Sequence, residues 1–170
     1  MRHVIIATLG AALIALGVSG IVWGDHDDER GYRGAGTATH PVYQTECGGC
    51  HLAYPAWLLP ATAWERIMGS LADHFGDDAS LDPTEVLDIS AYLRANATSR
   101  RELAPTGRGL PRITQTRYFL GQHDEVPDRL ARGNAQVGSF SNCQACHGSA
   151  AQGSFDEDEV RIPGVGRWED

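Results

Sequence analysis

Two five-residue runs, Cys47-Gly48-Gly49-Cys50-His51 and Cys143-Gln144-Ala145-Cys146-His147, use every cysteine in the chain. Cysteines three residues apart share one face of a helical turn, where both sulfurs can form thioethers to the vinyl groups of one haem. The histidine that follows then reaches the iron. This is the attachment signature of c-type haem, present twice, and it implies two covalently bound haem c groups held by Cys47, Cys50, Cys143 and Cys146. Chance would supply on the order of 0.004 copies of one such run in a chain of this composition.

Other uses of paired cysteines fit less well. A structural zinc site wants its two pairs about 15–20 residues apart, and Cys50 and Cys143 are separated by several times that. A thioredoxin-like redox pair needs a βαβ setting, and neither run follows a β-rich apolar stretch. Two disulfides would suit an exported protein but leave both histidines unexplained.

His51 and His147 supply one axial ligand to each iron, so the opposite ligands decide the chemistry. Met68 stands in a helical stripe with Trp64 and Leu71, a place for core packing, and no other methionine follows Met1. The remaining candidates are His26, His40, His74 and His123. His74 falls seven residues after Ile67, on the apolar stripe, where an unpartnered imidazole would be costly. His123 follows the aromatic patch Tyr118-Phe119-Leu120. Each lies about 20 residues from its nearest motif, enough chain to pass from one porphyrin face to the other. We therefore expect His51 and His74 on the first iron and His123 and His147 on the second, with an exchange of distal ligands between the haems as the alternative. His40 is too near Cys47 to wrap round that haem but could reach the other; His26 sits among acidic residues and reads as solvated.

The elements that must position these groups follow from the rest of the chain. A basic start, Met1-Arg2-His3, and an uncharged run from Val4 to Trp23 read as a secretory signal over 1–24, with an uncleaved membrane anchor as the alternative. The expected location is the periplasm, where covalent haem attachment takes place. Residues 25–39, rich in Asp, Gly and Arg, read as a flexible segment. A first haem lobe is expected over 40–99, a Gly/Pro/Arg-rich linker over 100–112, and a second lobe with its tail over 113–170. In the first lobe Pro60 opens a helix carrying Trp64, Ile67, Met68, Leu71 and Phe75 inward. Asp82-Pro83-Thr84-Glu85 announces another by a capping box, with Val86, Ile89 and Leu93 on its buried side. In the second, helices are expected over 128–136 and 140–147. The expected fold is mainly α: a small two-lobed dihaem cytochrome c with long irregular segments, each lobe built round one covalent haem.

The formal net charge is -8, and all 14 basic residues are arginine. Haem propionates would add negative charge. That argues against nucleic acid and favours encounter with a redox protein bearing a basic patch. Arg112 and Arg117 suit the propionates by paired hydrogen bonding, or else are solvated.

The run from Glu46 to His51 with Tyr54, Pro55, Leu58, Leu59, Pro60 and Trp64, then Leu71-Ala72-Asp73-His74-Phe75-Gly76-Asp77, resembles the bacterial dihaem cytochrome c family abbreviated DHC. Arg112-Ile113-Thr114, Phe119, His123, the run from Asn142 to His147, and Val160-Arg161-Ile162-Pro163 are similar to the family's C-terminal part. The resemblance implies a periplasmic electron carrier with bis-histidine irons, exchanging electrons with other haem proteins; for some members the implied partner is a small oxygen-binding monohaem cytochrome. Residues and resemblance together point to single-electron transfer with no small-molecule substrate and no catalytic residues. A dihaem peroxidase-like enzyme and a haem-based gas-binding protein are the alternatives, each needing one open iron.

Overall fold

The computed structural model describes residues 40–168. The expected signal segment, the flexible segment and His26 lie outside the described residues. Helix α1 spans Pro41–Gly48, with Pro41 in its first turn and the His40 ring Nδ1 accepting from the Tyr43 N–H at 3.2 Å. It delivers Cys47 at its last turn. Helix α2, Ala61–Met68, buries Ala63, Trp64, Ile67 and Met68. Helix α3, Pro83–Asn96, begins with both halves of the Asp82/Glu85 capping box and buries Ile89 and Leu93. The α2 and α3 stripes face each other, and Tyr43, Ala56 and Leu59 complete the core. The buried Trp64 Nε1 donates to the Ala56 carbonyl at 2.7 Å, and the Thr98 N–H to Leu59 at 3.1 Å, closing this half behind α3. Each large side chain buried here contributes about 1.5–3 kcal/mol.

The apolar stripe of α2 stops earlier than its spacing predicts. Gly69 caps the helix, its N–H bonded to the Glu65 carbonyl, and a 3₁₀ turn over Leu71–Asp73 follows. Leu71 still packs on the core, whereas Phe75 is 39% exposed and His74 leaves the helix for a tight turn. Glycine's low helix propensity, in a run too short to repay it by further burial, ends the helix there.

The segment 100–112 is pinned at both ends. Leu103 is fully buried, Leu110 packs on the first core, and the Thr106 N–H donates to the Gln115 carbonyl at 3.1 Å. Helix α4, Arg117–Gln122, starts at the fully buried Thr116. Its hydroxyl donates to the Ile113 carbonyl at 2.9 Å and accepts from the Phe119 N–H at 3.1 Å. Thr116→Val is expected to cost about 1–2 kcal/mol in urea denaturation, because the Phe119 N–H loses its cap and the Ile113 carbonyl one of its two donors, and Thr116→Ser to recover most of it.

Beyond α4 the chain is mostly turns. The expected helix over 128–136 is one 3₁₀ turn, Asp128–Leu130, because the chain folds back so closely that a Cβ on Gly133 would lie 2.9 Å from the Arg129 Cα. The expected helix over 140–147 contracts to a turn at Cys143–Ala145. Side chains compete with the helix before it: Ser139 Oγ accepts from the Ser141 N–H, and Asn142 Nδ2 donates to the Val137 carbonyl. The motif keeps one helical bond, His147 N–H to the Cys143 carbonyl at 2.8 Å. Strands β1, Arg161–Ile162, and β2, Gly166–Arg167, form an antiparallel pair tied to the motif by the Arg161 N–H on the Cys146 carbonyl. Among the described residues no helix is long and apolar enough to cross a membrane.

Candidate haem sites

The four histidines singled out by spacing come together as two pairs. The His51 and His74 rings have their centres 6.1 Å apart with planes 21° from parallel. The His123 and His147 rings are likewise 6.1 Å apart, inclined at 64°. A metal–imidazole bond of about 2.0 Å, with about 1.1 Å from that nitrogen to the ring centre, separates two imidazoles on opposite sides of one ion by about 6.2 Å. Both pairs have that spacing, and both join a motif histidine to the distal candidate nearest it in sequence.

Backbone contacts set the tautomers. His51 Nδ1 lies 2.7 Å from the Leu52 carbonyl and His123 Nδ1 3.0 Å from the Phe119 carbonyl. A carbonyl only accepts, so each Nδ1 carries the proton and each Nε2 keeps its lone pair for a metal. In each pair the other ring, His74 or His147, has its Nδ1 buried with no hydrogen-bond partner among protein groups. Burial holds His123 and His74 below the usual histidine range, with the neighbouring His51 adding to the effect at His74. Burial, then His123, pushes His147 down to about 4. Neutral imidazole is the metal-binding form.

Different elements hold the two pairs. His74 sits in a turn closed by its own N–H on the Asp77 carbonyl at 2.7 Å and by the return bond at 3.3 Å. The turn requires left-handed backbone at Phe75, φ 58°, and at Gly76, φ 106°. For an aromatic residue that conformation costs on the order of 1–3 kcal/mol. The Phe75 ring is clamped between the His74 imidazole, 4.8 Å away, and the Arg112 guanidinium, 4.1 Å from its centre. His123 closes α4 and stacks on Phe119 at 3.9 Å, with Phe140 edge-on to both rings.

A cavity of about 480 Å³ is lined by Cys143, Cys146, His147, His123 and Phe119, and also by Trp57 and Leu58 from the first half. Its size is that of a cofactor cleft. A neighbouring cavity of about 590 Å³ shares His123 and Phe140 and presents Arg112 and Arg132. The cysteines are free, and burial raises Cys47 and Cys143 to about 11. All these features fit covalent haem: free thiols at the motif, neutral imidazoles in facing pairs, and an aromatic cleft.

The other histidine candidate, His40, is engaged elsewhere. It caps α1, stacks on Tyr92, and turns Nε2 to the Asp88 carboxylate at 3.4 Å. Met68 is core, packed with Trp64 and Ile67. Arg117 is exposed at the start of α4. Sequence reasoning missed Trp57 and Phe155, which meet edge to face at 6.1 Å, Phe155 lying 5.4 Å from His147. It named Tyr54 only within the resemblance and gave it no role, whereas its ring lies on His51 at 5.0 Å. Aromatic residues near a haem motif were the available signal, but spacing does not say which of them turn inward.

Comparison with known proteins agrees. Residues 43–155 match the family described as dihaem cytochrome c. The chain belongs to the dihaem cytochrome c family. It is similar to the crystallised diheme cytochrome c sb-DHC of Shewanella baltica OS155, at 46% identity over 76% of this chain and 97% of that one, with a TM-score of 0.69. It is also similar to the diheme cytochrome c of Rhodobacter sphaeroides, in one structure at 42% identity over 71% of this chain and 99% of that one, TM-score 0.61. A second structure, of DHC purified from that organism, gives 44% identity over 70% and 99%, TM-score 0.60. No curated protein sequence matches. As a member of the family the chain carries two covalently bound haem c groups, is mainly α, and is a haem-based electron carrier.

Proposed function

We propose that this dihaem cytochrome works in the periplasm, passing single electrons between redox proteins through two bis-histidine haems. His51 and His74 would hold the first, attached at Cys47 and Cys50; His123 and His147 would hold the second, attached at Cys143 and Cys146. The observation that carries this reading is the pair of imidazole separations, 6.1 Å in each half. The division into a first lobe, 40–99, a linker, 100–112, and a second lobe from 113 is part of the proposal, with the linker packed against its neighbours.

Bound haem supplies the one-electron couple. The protein's own groups set its conditions. Leu52 and Phe119 carbonyls orient one imidazole in each pair, Phe119, Phe140 and Phe155 surround the second site with apolar surface, and Arg112 and Arg132 place positive charge beside it. With imidazole on both sides, neither iron has the open position that a peroxidase or a gas-binding protein needs. The acidic surface suits a partner with a basic patch, another haem protein such as a small oxygen-binding monohaem cytochrome. Export fits the uncharged N-terminal run, as a cleaved signal or an anchor.

Visible and near-infrared spectra with a redox titration test the reading. Both haems are expected to be low-spin when oxidised and when reduced, without a sulfur-to-iron band at the red end, and at potentials below those of histidine–methionine cytochromes. A substantial high-spin fraction would overturn it.

A further inference from the structure

Among the contacts that join the two halves of the molecule, one is made by a residue beside the first haem motif. The Tyr54 ring lies over the His51 imidazole, centres 5.0 Å apart and planes 25° from parallel. Its hydroxyl donates to the Ser141 carbonyl at 2.7 Å, spanning 87 residues of sequence. That carbonyl oxygen is also 3.7 Å from the Cys143 sulfur, one of the two thioether positions of the second motif. Below, the buried Tyr43 hydroxyl donates to the Tyr54 carbonyl at 2.7 Å, so the tyrosine's backbone is anchored in the α1–α3 core. One side chain therefore touches an axial imidazole of the first haem, holds the strand of chain that carries the second, and is itself fixed to the core.

We propose that Tyr54 is the bridge between the two haems, fixing their relative placement and providing a bonded route for the electron from one to the other. The inference rests on the two-haem carrier reading and deepens it. The step moves one electron from the reduced to the oxidised haem. No bond forms or breaks, no proton moves, and Tyr54 keeps its own electrons throughout. Its ring and hydroxyl replace what would otherwise be a gap between the His51 ring and the Ser141 carbonyl. A purely structural role would need the hydrogen bond alone; the ring on His51 is what points to coupling.

Tyr54→Phe keeps the ring and removes the hydroxyl, and Tyr43→Phe removes the hydrogen bond to the Tyr54 carbonyl while leaving Tyr54's own ring on His51 and hydroxyl on Ser141 in place. Both variants are measured as the complete dihaem protein. Circular dichroism in the Soret region reports the relative orientation of the haems, and exchange of haem methyl signals in half-reduced samples reports electron transfer between them. Tyr54→Phe is expected to change the Soret couplet and to slow interhaem exchange by about twofold, because one lost hydrogen bond lowers the ratio of closed to parted states by up to about tenfold and brings the two to comparable populations. Tyr43→Phe is expected to lower stability similarly and leave the exchange rate as it was. An unaltered couplet and exchange rate in Tyr54→Phe, or equal slowing in both variants, would overturn the bridge. Failure of the carrier reading would look different: high-spin spectra in the unaltered protein, before any substitution.

Discussion

Replacing His123 with alanine is expected to open the second iron, turning that haem high-spin and able to bind carbon monoxide while the first stays closed. The expectation follows from geometry. His123 faces His147 at 6.1 Å across the cavity, its Nδ1–H donates to the Phe119 carbonyl, and the other described histidine outside the two pairs, His40, is committed to Tyr43 and Asp88. Among the described residues no further histidine and no methionine lines the cleft, whose lining beside the cysteines and histidines is largely aromatic and aliphatic. His74→Ala should do the same to the first haem alone. Carbon monoxide difference spectra of the two variants read the assignment directly. If His123→Ala leaves both irons closed, or opens the haem on Cys47 and Cys50, the proposed pairing is wrong.

The second large effect separates the halves by their cores. Replacing Cys143 and Cys146 with serine should remove one haem and, with it, most of the ordered structure beyond α4. The buried hydrophobic side chains there are Ala131, Val137, Ala150 and Ile162, too little apolar volume to offset about 1–2 kcal/mol of backbone entropy for each ordered residue. The same exchange at Cys47 and Cys50 should also remove one haem yet leave α2 and α3 packed, since Trp64, Ile67, Met68, Ile89 and Leu93 bury one another. Mass spectrometry counts the haems, and amide exchange reads the order. Protected amides persisting through residues 128–168 in the Cys143/Cys146 variant would contradict this account.

What could be read without coordinates was chemistry carried by residue type and local spacing. The two motifs named the cofactor and its attachment. The capping box and the stripes on α2 and α3 marked the one part of the chain whose fold rests on its own side chains. Even the four facing histidines were legible, by removing Met68 to the core and counting the chain needed to round a porphyrin.

Other features depend on contacts between distant residues, which local patterns do not encode. His74 is in a left-handed turn and not on a helix, because Gly69 ends α2 and the Phe75 ring is held by Arg112, far along the chain. The turns over 128–147 replace helices, since side-chain hydrogen bonds and a close backbone approach at Gly133 outweigh weak helical periodicity in a half with little core. Trp57 lines the second cavity and Tyr54 reaches Ser141 only because the two halves are packed together. Spacing along the sequence determined which histidines could be brought into pairs beside the motifs; packing between the halves decided which groups surround each pair and what lies between them.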